Sequence, residues 1–184
     1  MLKKLYLFPL GISTIVVFGG VSAVLAEPHI LNQLKNAPVY VDAEFVPCGW
    51  MGDASDPEMR YVQFETSFED TSRSGASEGN LSRIAYLPGG SDQWAGMYWL
   101  PPSDECSWGG EPGVDLSSST KVTFWARGEQ GDEIVRFKVG GISGPRSDKF
   151  EVSTEWITLT AEWKEYEIDV SAQELSEVIG AFSW

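Results

Sequence analysis

The sequence has very little histidine, cysteine and positive charge. Its 184 residues include one histidine, two cysteines, and 13 lysines and arginines against 27 aspartates and glutamates. The one histidine, His29, stands close to the N-terminus, which argues against a histidine-based catalytic triad or zinc site in the rest of the chain. The formal net charge of −14 repels phosphate groups, so we expect no binding to nucleic acid or to anionic lipid. A neutral or cationic ligand suits this composition.

The chain also lacks the short motifs of common enzyme classes. It has no phosphate-binding loop and no EF-hand loop. Carboxylates are abundant, so pairs suited to glycoside hydrolysis are easy to find, and we expect most of them to be solvated surface or turn residues. The sequence therefore predicts a protein that is not an enzyme, with a glycosidase as the third-ranked alternative.

The N-terminus has the composition of a targeting segment. Lys3 and Lys4 precede an apolar run, Leu5–Leu25, that ends in small residues at Ala26. This pattern predicts a signal peptide over residues 1–26, with the mature chain starting at Glu27, and a secreted or periplasmic protein with no membrane attachment after cleavage. An uncleaved anchor is the alternative, because the run is near the length that spans a bilayer.

The two cysteines, Cys48 and Cys106, are expected to form one disulfide, because an exported chain folds under oxidising conditions. The bond would close a loop of about sixty residues and stabilise the fold by roughly 4 kcal/mol in the chain-entropy treatment. Two free thiols are the alternative.

Apolar and polar residues alternate with a period of two in about eight short segments, which long polar loops separate. The clearest segment, Lys121–Gly141, is interpreted as two strands around a polar turn, a β-hairpin. A single helical turn is predicted at Ser171–Glu177. The pattern predicts an all-β protein, a β-sandwich of jelly-roll type, over residues 48–184. Residues 27–47 are interpreted as an N-terminal arm or linker, in which Val39–Val46 could add an edge strand.

An aromatic cluster is the clearest functional signal. Trp94, Tyr98, Trp99 and Trp108 lie close together in sequence among glycine, proline and serine. Flat rings stack on the apolar faces of sugars while polar neighbours bind the hydroxyl groups. We therefore predict a ligand platform of Trp94, Trp99 and Trp108, with Tyr98 the expected core residue of the adjacent pair. Three further tryptophans are interpreted as packing residues or loop anchors: Trp125, Trp156 and Trp163.

Several stretches resemble a known group of domains: GWMGD (Gly49–Asp53), WAGMYWLPP (Trp94–Pro102), DLSSSTKVTFWARGEQGDEIVRFKVGG (Asp115–Gly141), ITLTAEWKEYEIDVS (Ile157–Ser171) and LSEVIGAFSW (Leu175–Trp184). They are similar to secreted, galactose-binding-like jelly-roll domains, in particular family-eleven carbohydrate-binding modules and, more distantly, the intermediate-associated protein 30 domain. The resemblance implies a non-catalytic module that binds a neutral polysaccharide or other glycan, with a glycan-active enzyme as a further partner. A structural or protein-interaction domain without sugar affinity is the alternative.

The resemblance has two further implications. Related domains hold a structural calcium ion near the start of the domain, which points to Asp53, Asp56 and Glu65, with plain surface acids as the alternative. Related domains also continue past the position of Trp184 into a strand that closes the sandwich. The sequence therefore predicts a C-terminally truncated domain, or one in which the arm Val39–Val46 fills the place of that strand.

Overall fold

The protein folds into antiparallel β-sheets joined by loops. A computed structural model describes residues 3–9, 39–66, 81–104 and 106–184. The predicted cleavage site after Ala26 and most of the predicted arm lie outside these residues. The strands are β1 Lys3–Pro9, β2 Val46–Gly52, β3 Val62–Thr66, β4 Ser82–Tyr86, β5 Ala95–Leu100 and β6 Lys121–Gly128. They continue with β7 Ile134–Val135, β8 Lys138–Gly140, β9 Glu151–Ser153, β10 Ile157–Thr158, β11 Lys164–Asp169 and β12 Phe182–Ser183.

Two five-stranded sheets form the body of the protein. The first has the strand order β11-β6-β1-β4-β3, and the second has the order β2-β5-β12-β8-β9. Strands β7 and β10 form a separate two-stranded ribbon. A helical turn, α1 (Val41–Glu44), precedes β2, and a 3₁₀ turn (Asp53–Ser55) follows it. The prediction of an all-β sandwich is confirmed, while the jelly-roll detail stays a prediction.

The core lies between the two five-stranded sheets because alternate residues of each strand face inward. Phe124 of β6 contributes from the first sheet, and Phe182 of β12 from the second, with 4.8 Å between their ring centroids. Phe137, in the link between β7 and β8, lies 4.5 Å from Phe124 by the same measure. These rings, with Ile84, Met97 and other apolar side chains, form one continuous cluster. Aromatic pairs at such distances stabilise a core beyond the area that they bury.

The predicted hairpin at Lys121–Gly141 is wrong, although its strands exist. Strand β6 pairs with β1 and β11 in the first sheet, whereas β7 pairs with β10 and β8 with β9 and β12. Residues 129–133 therefore carry the chain away from the first sheet. Alternation specifies that a segment is a strand but not which strand it pairs with. A glycine-containing turn can close a hairpin within one sheet, and it can equally lead the chain from one sheet to another.

Two other local predictions are also corrected. The arm Val39–Val46 was expected to add an edge strand in the place of a missing closing strand, but Val41–Glu44 form the helical turn α1, and only Val46 belongs to a strand, the edge strand β2. Residues 171–177 form turns and not the predicted helical turn. The Asp169 carboxylate accepts a hydrogen bond from the Ser171 N–H, and the Glu174 carboxylate accepts one from the Ser176 N–H. Short polar side chains compete with helical hydrogen bonds in this way.

The disulfide prediction is confirmed. Cys48 and Cys106 are bonded, with 5.6 Å between their Cα atoms. The bond fastens the loop after β5 over the outer side of the second sheet, where Tyr98, Leu100, Ile142 and Ile179 form a second apolar cluster. We call this surface the disulfide face. The described residues contain no helix with the length and hydropathy needed to cross a bilayer.

Candidate ligand-binding cleft

A cleft of about 530 Å³ opens at one end of the sandwich. Elements of both sheets form its walls, because β4, the start of β5, the end of β12 and the chain around β7 and β8 all reach it. Its floor is apolar, with Ile84 from the first sheet and Ala95 from the second. The residues that decide its chemistry are Tyr86, Trp94, Glu133, Arg136, Trp156, Ser183 and Trp184.

Two indole rings stand open to solvent at the cleft. Trp94 is 51% exposed and Trp156 is 67% exposed, whereas large aromatic side chains are usually well covered. Trp94 keeps its position because Gly52, with a φ of +59°, leaves room for it: a Cβ on Gly52 would lie 2.9 Å from the Trp94 ring. The glycine is required both by the left-handed backbone and by the ring.

Two buried polar atoms in the cleft wall have no hydrogen-bond partner among the described residues. They are Ser183 Oγ and Trp184 Nε1. Ser183 has no exposed surface, and it lies in β12 between Tyr98 of β5 and Lys138 of β8. A buried donor without a partner costs free energy, so such atoms are rare and call for an explanation.

Asp53 holds two aromatic residues of the cleft in place. Its carboxylate accepts a hydrogen bond from the Tyr86 hydroxyl at 2.6 Å and another from the Asp92 N–H at 2.9 Å. Its own backbone N–H donates to the Trp94 carbonyl at 2.8 Å. The bond from Tyr86, and then the backbone N–H bonds, lower the pKa of Asp53, while burial and this bond raise the pKa of Tyr86. Tyr86 therefore stays a neutral donor and Asp53 an ionised acceptor.

Glu133 is buried under the cleft and bound by backbone groups. Its Oε1 accepts from the N–H groups of Glu129 and Gln130, and its Oε2 from those of Gly131 and Asp132, all at 3.0 to 3.1 Å. Burial raises the pKa of Glu133, but these backbone N–H bonds outweigh it and hold the pKa below its ordinary value. The carboxylate therefore closes the 129–133 loop and stays ionised.

The two cations of the cleft are also engaged within the protein. Arg136 donates from Nε to the Thr154 carbonyl at 3.1 Å and from a terminal nitrogen to the Ser153 hydroxyl. Lys138 forms an ion pair with Glu151 at 2.8 Å. The charges of the cleft are thus bound inside the protein, which leaves its open surface mainly aromatic and apolar.

The structure separates the residues of the predicted platform. Trp94 lies in the cleft, but Trp108 packs edge-on against Tyr98 on the disulfide face, with 5.8 Å between ring centroids. Trp99 and Tyr98 are each only 3% exposed, so neither ring has a face open to a ligand. One of the pair was expected inside. Both are buried because β5 is covered on one side by the core, where Trp99 packs on Phe182, and on the other by the disulfide face.

The three acids predicted for calcium do not assemble. The Asp53 carboxylate is occupied by Tyr86 and Asp92, Asp56 is paired with Arg60 at 2.7 Å, and Glu65 with Arg83 at 3.1 Å. The part of the chain that the structure describes contains no group of three or more histidine, cysteine or acidic side chains that could hold a metal ion. These residues therefore do not fit the calcium site that the resemblance implies.

Sequence reasoning missed several residues of the cleft. Trp156 was interpreted as a packing residue or loop anchor, yet it is the most exposed of the large hydrophobic side chains described. It follows Thr154 and Glu155 and stands immediately before β10, and these polar neighbours are a signal in the sequence. Ser183 and Trp184 carried no signal, because their importance depends on the absence of a partner in three dimensions.

Comparison of the chain with models of protein families, with curated proteins and with solved structures finds no match in any of the three. The function must therefore be argued from the cleft itself.

Proposed function

We propose that the protein is an exported, non-catalytic module that binds a neutral glycan in the cleft. The observation that carries this proposal is the combination, in one cleft, of two exposed indole rings with an apolar floor. Indole rings stack on the apolar faces of sugars, while the hydroxyl groups of the same sugar keep their hydrogen bonds to water or to polar groups around the cleft.

The size of the cleft suits a small part of a glycan. A volume of about 530 Å³ lies within the usual range for small-molecule sites. The openness of Trp94 and Trp156 to solvent lets further sugar units continue outward from the bound one. A chain end or a short stretch of a polysaccharide is therefore the ligand that this shape favours.

The charges of the cleft favour a neutral ligand and argue against hydrolysis. Arg136 and Lys138 are bound within the protein, so a uronic acid would find no cation that is not already engaged. Glu133 is the one carboxylate among the described residues that line the cleft, and its oxygens accept four backbone N–H bonds. A glycosidase needs two carboxyl groups, one of which holds a proton, whereas Glu133 has a lowered pKa.

The resemblance to family-eleven carbohydrate-binding modules supports the same proposal, as does the disulfide, which is typical of an oxidising compartment. A protein-interaction surface is the second candidate, because Ile134 beside the cleft is 63% exposed and extends the apolar area around Trp156. Such a patch on a polar surface is also typical of protein contacts.

A glycan array followed by calorimetry tests the proposal. Trp94→Ala and Trp156→Ala should each weaken binding of the best glycan by about 1–3 kcal/mol, roughly 5- to 150-fold. Trp108→Ala, which removes an exposed tryptophan outside the cleft, is the matched control and should leave the affinity within about twofold. Loss of binding in Trp108→Ala alone would move the site to the disulfide face. If no glycan binds, the protein-interaction function takes the place of this one.

A further inference from the structure

The N-terminal strand occupies an unexpected place in the first sheet. β1 lies between β4 and β6 and is antiparallel to both. Its register places Leu5 opposite Ile84 on one side and Gly128 on the other. A segment with the composition of a leader is thus the central strand of a five-stranded sheet.

Without β1 the first sheet would be divided. The spacing between neighbouring strands is about 4.8 Å, so β4 and β6 lie about two spacings apart and cannot pair across the gap. Their backbone N–H and C=O groups would face each other unpaired in the middle of the sheet, beside the buried core residues Ile84 and Ala126. This space therefore has the width of one strand and a row of hydrogen-bonding groups on each side.

The register also indicates which residue types a strand between β4 and β6 must carry at each position. Leu7 stands opposite Ser82 and Ala126, and Pro9 stands opposite Phe124. These three partner residues of β4 and β6 are buried. The intervening positions, Tyr6 and Phe8, stand opposite residues of β6 that are only half-buried, Arg127 and Trp125. Because residues at opposite register positions share a face of the sheet, the space requires apolar residues at every second position.

We propose that the space between β4 and β6 is a strand-acceptor groove, and that its occupant is residues 3–9 of this chain, held by β-pairing and not by the connecting residues. Cleavage of the chain between β1 and α1 then breaks the covalent link while the strand stays in place. Backbone pairing of an added strand supplies affinity, and the alternate side-chain positions supply selectivity. The inference does not depend on glycan binding in the cleft, but it requires residues 3–9 to stay with the folded body, which a signal peptide removed before folding would not do.

A cut full-length protein tests this proposal. A protease site is inserted between residues 26 and 27, the folded chain is cut there, and the products are separated by gel filtration in native buffer. The N-terminal fragment should co-elute with the body, and the Tm should change by no more than about 3 °C. Removing the fragment in mild denaturant should lower the Tm by about 10 °C or more, and adding a synthetic peptide of residues 1–10 should restore it.

Two double variants test whether the fragment binds in the register of β1. Leu5→Asp with Leu7→Asp places charges at the positions opposite buried residues, and the cut fragment should dissociate at least about tenfold faster. Tyr6→Asp with Phe8→Asp, the matched control, should dissociate within about threefold of the unaltered fragment. The proposal is overturned if both pairs of substitutions act alike, or if the body keeps its Tm after the fragment has been removed.

Discussion

Strand β5 supports two surfaces that differ in how completely their polar groups are satisfied. On the disulfide face, the Tyr98 hydroxyl donates to the Gly140 carbonyl at 3.1 Å, and the Asp148 carboxylate accepts from the backbone N–H groups of Ile142, Ile179 and Gly180. Two residues that line the cleft differ from this: Ser183 Oγ and Trp184 Nε1 are buried and have no partner within the part of the chain that the structure describes, although Ser183 stands opposite Tyr98 and shares its face of the sheet.

The difference shows that exposure of a tryptophan is a weak indicator of a binding site by itself. Trp108 and Trp94 are both exposed, but Trp108 covers a surface whose polar groups already have partners. Trp94 lines the same cleft as Ser183 and Trp184, each of which has a buried polar atom without a partner among the described residues. We therefore interpret the disulfide face as a stabilising element and the cleft as the binding element.

The largest expected effect is on the disulfide face. Replacing both cysteines, Cys48→Ala with Cys106→Ala, opens a loop between residues 58 apart in sequence. The free energy of unfolding should fall by about 4 kcal/mol in the chain-entropy treatment, measured by urea denaturation. If the two surfaces are independent, the affinity of the cleft for its glycan should change less than about twofold at a temperature where both proteins are folded. A large loss of affinity would show that the two surfaces are coupled.

A smaller effect is expected at Glu133, which closes the loop under the cleft. Glu133→Gln replaces one acceptor oxygen by an NH₂ group that faces backbone N–H donors, so the free energy of unfolding should fall by about 3 kcal/mol. Exposed Glu162→Gln is the matched control and should change it by less than about 0.5 kcal/mol.

The pH dependence of the same residue has a definite sign. The pKa of Glu133 in the folded protein lies below its ordinary value of 4.5. Its stabilising contribution is therefore complete above about pH 4.5 and is lost as the pH falls through the folded-state pKa. Urea denaturation from pH 7 to pH 3 should show a smaller loss of stability in Glu133→Gln than in the unaltered protein. Parallel curves would contradict this role of the carboxylate.

Sequence alone predicted the fold class and the disulfide because both depend on local patterns. Period-two alternation identifies strands such as β4 and β6, and an even cysteine count behind a leader-like N-terminus predicts pairing. The sheet partners of β6 were not predictable, since they depend on which distant strand packs beside it. The position of β1 was missed for a related reason: a positive start and an apolar run are typical of a leader and also suit a buried strand.

The cleft was predictable only at Trp94. Trp99 was assigned to the ligand platform because its sequence neighbours are aromatic. Strand β5 is covered on both faces, so its successive residues Tyr98 and Trp99 are both buried. Ser183 had no distinguishing feature in the sequence. Its lack of a partner depends on which side chains surround β12 between β5 and β8, and the sequence does not show them.

The smallest effect, and the sharpest test of the comparison, comes from the two polar atoms of the cleft wall. Ser183→Ala and Trp184→Phe each remove a buried donor that has no partner among the described residues, so the free energy of unfolding should be unchanged or should rise slightly. Both atoms are covered in the unbound protein, so a glycan reaches them only if it displaces the side chains around them. If it does so, its affinity should fall by about 1 kcal/mol per substitution, roughly fivefold, when measured by calorimetry. Tyr98→Phe, on the disulfide face, removes a hydroxyl whose acceptor is the Gly140 carbonyl, and it should show the opposite result: lower stability and unchanged affinity. Equal behaviour of the substitutions on the two surfaces would remove the distinction between them.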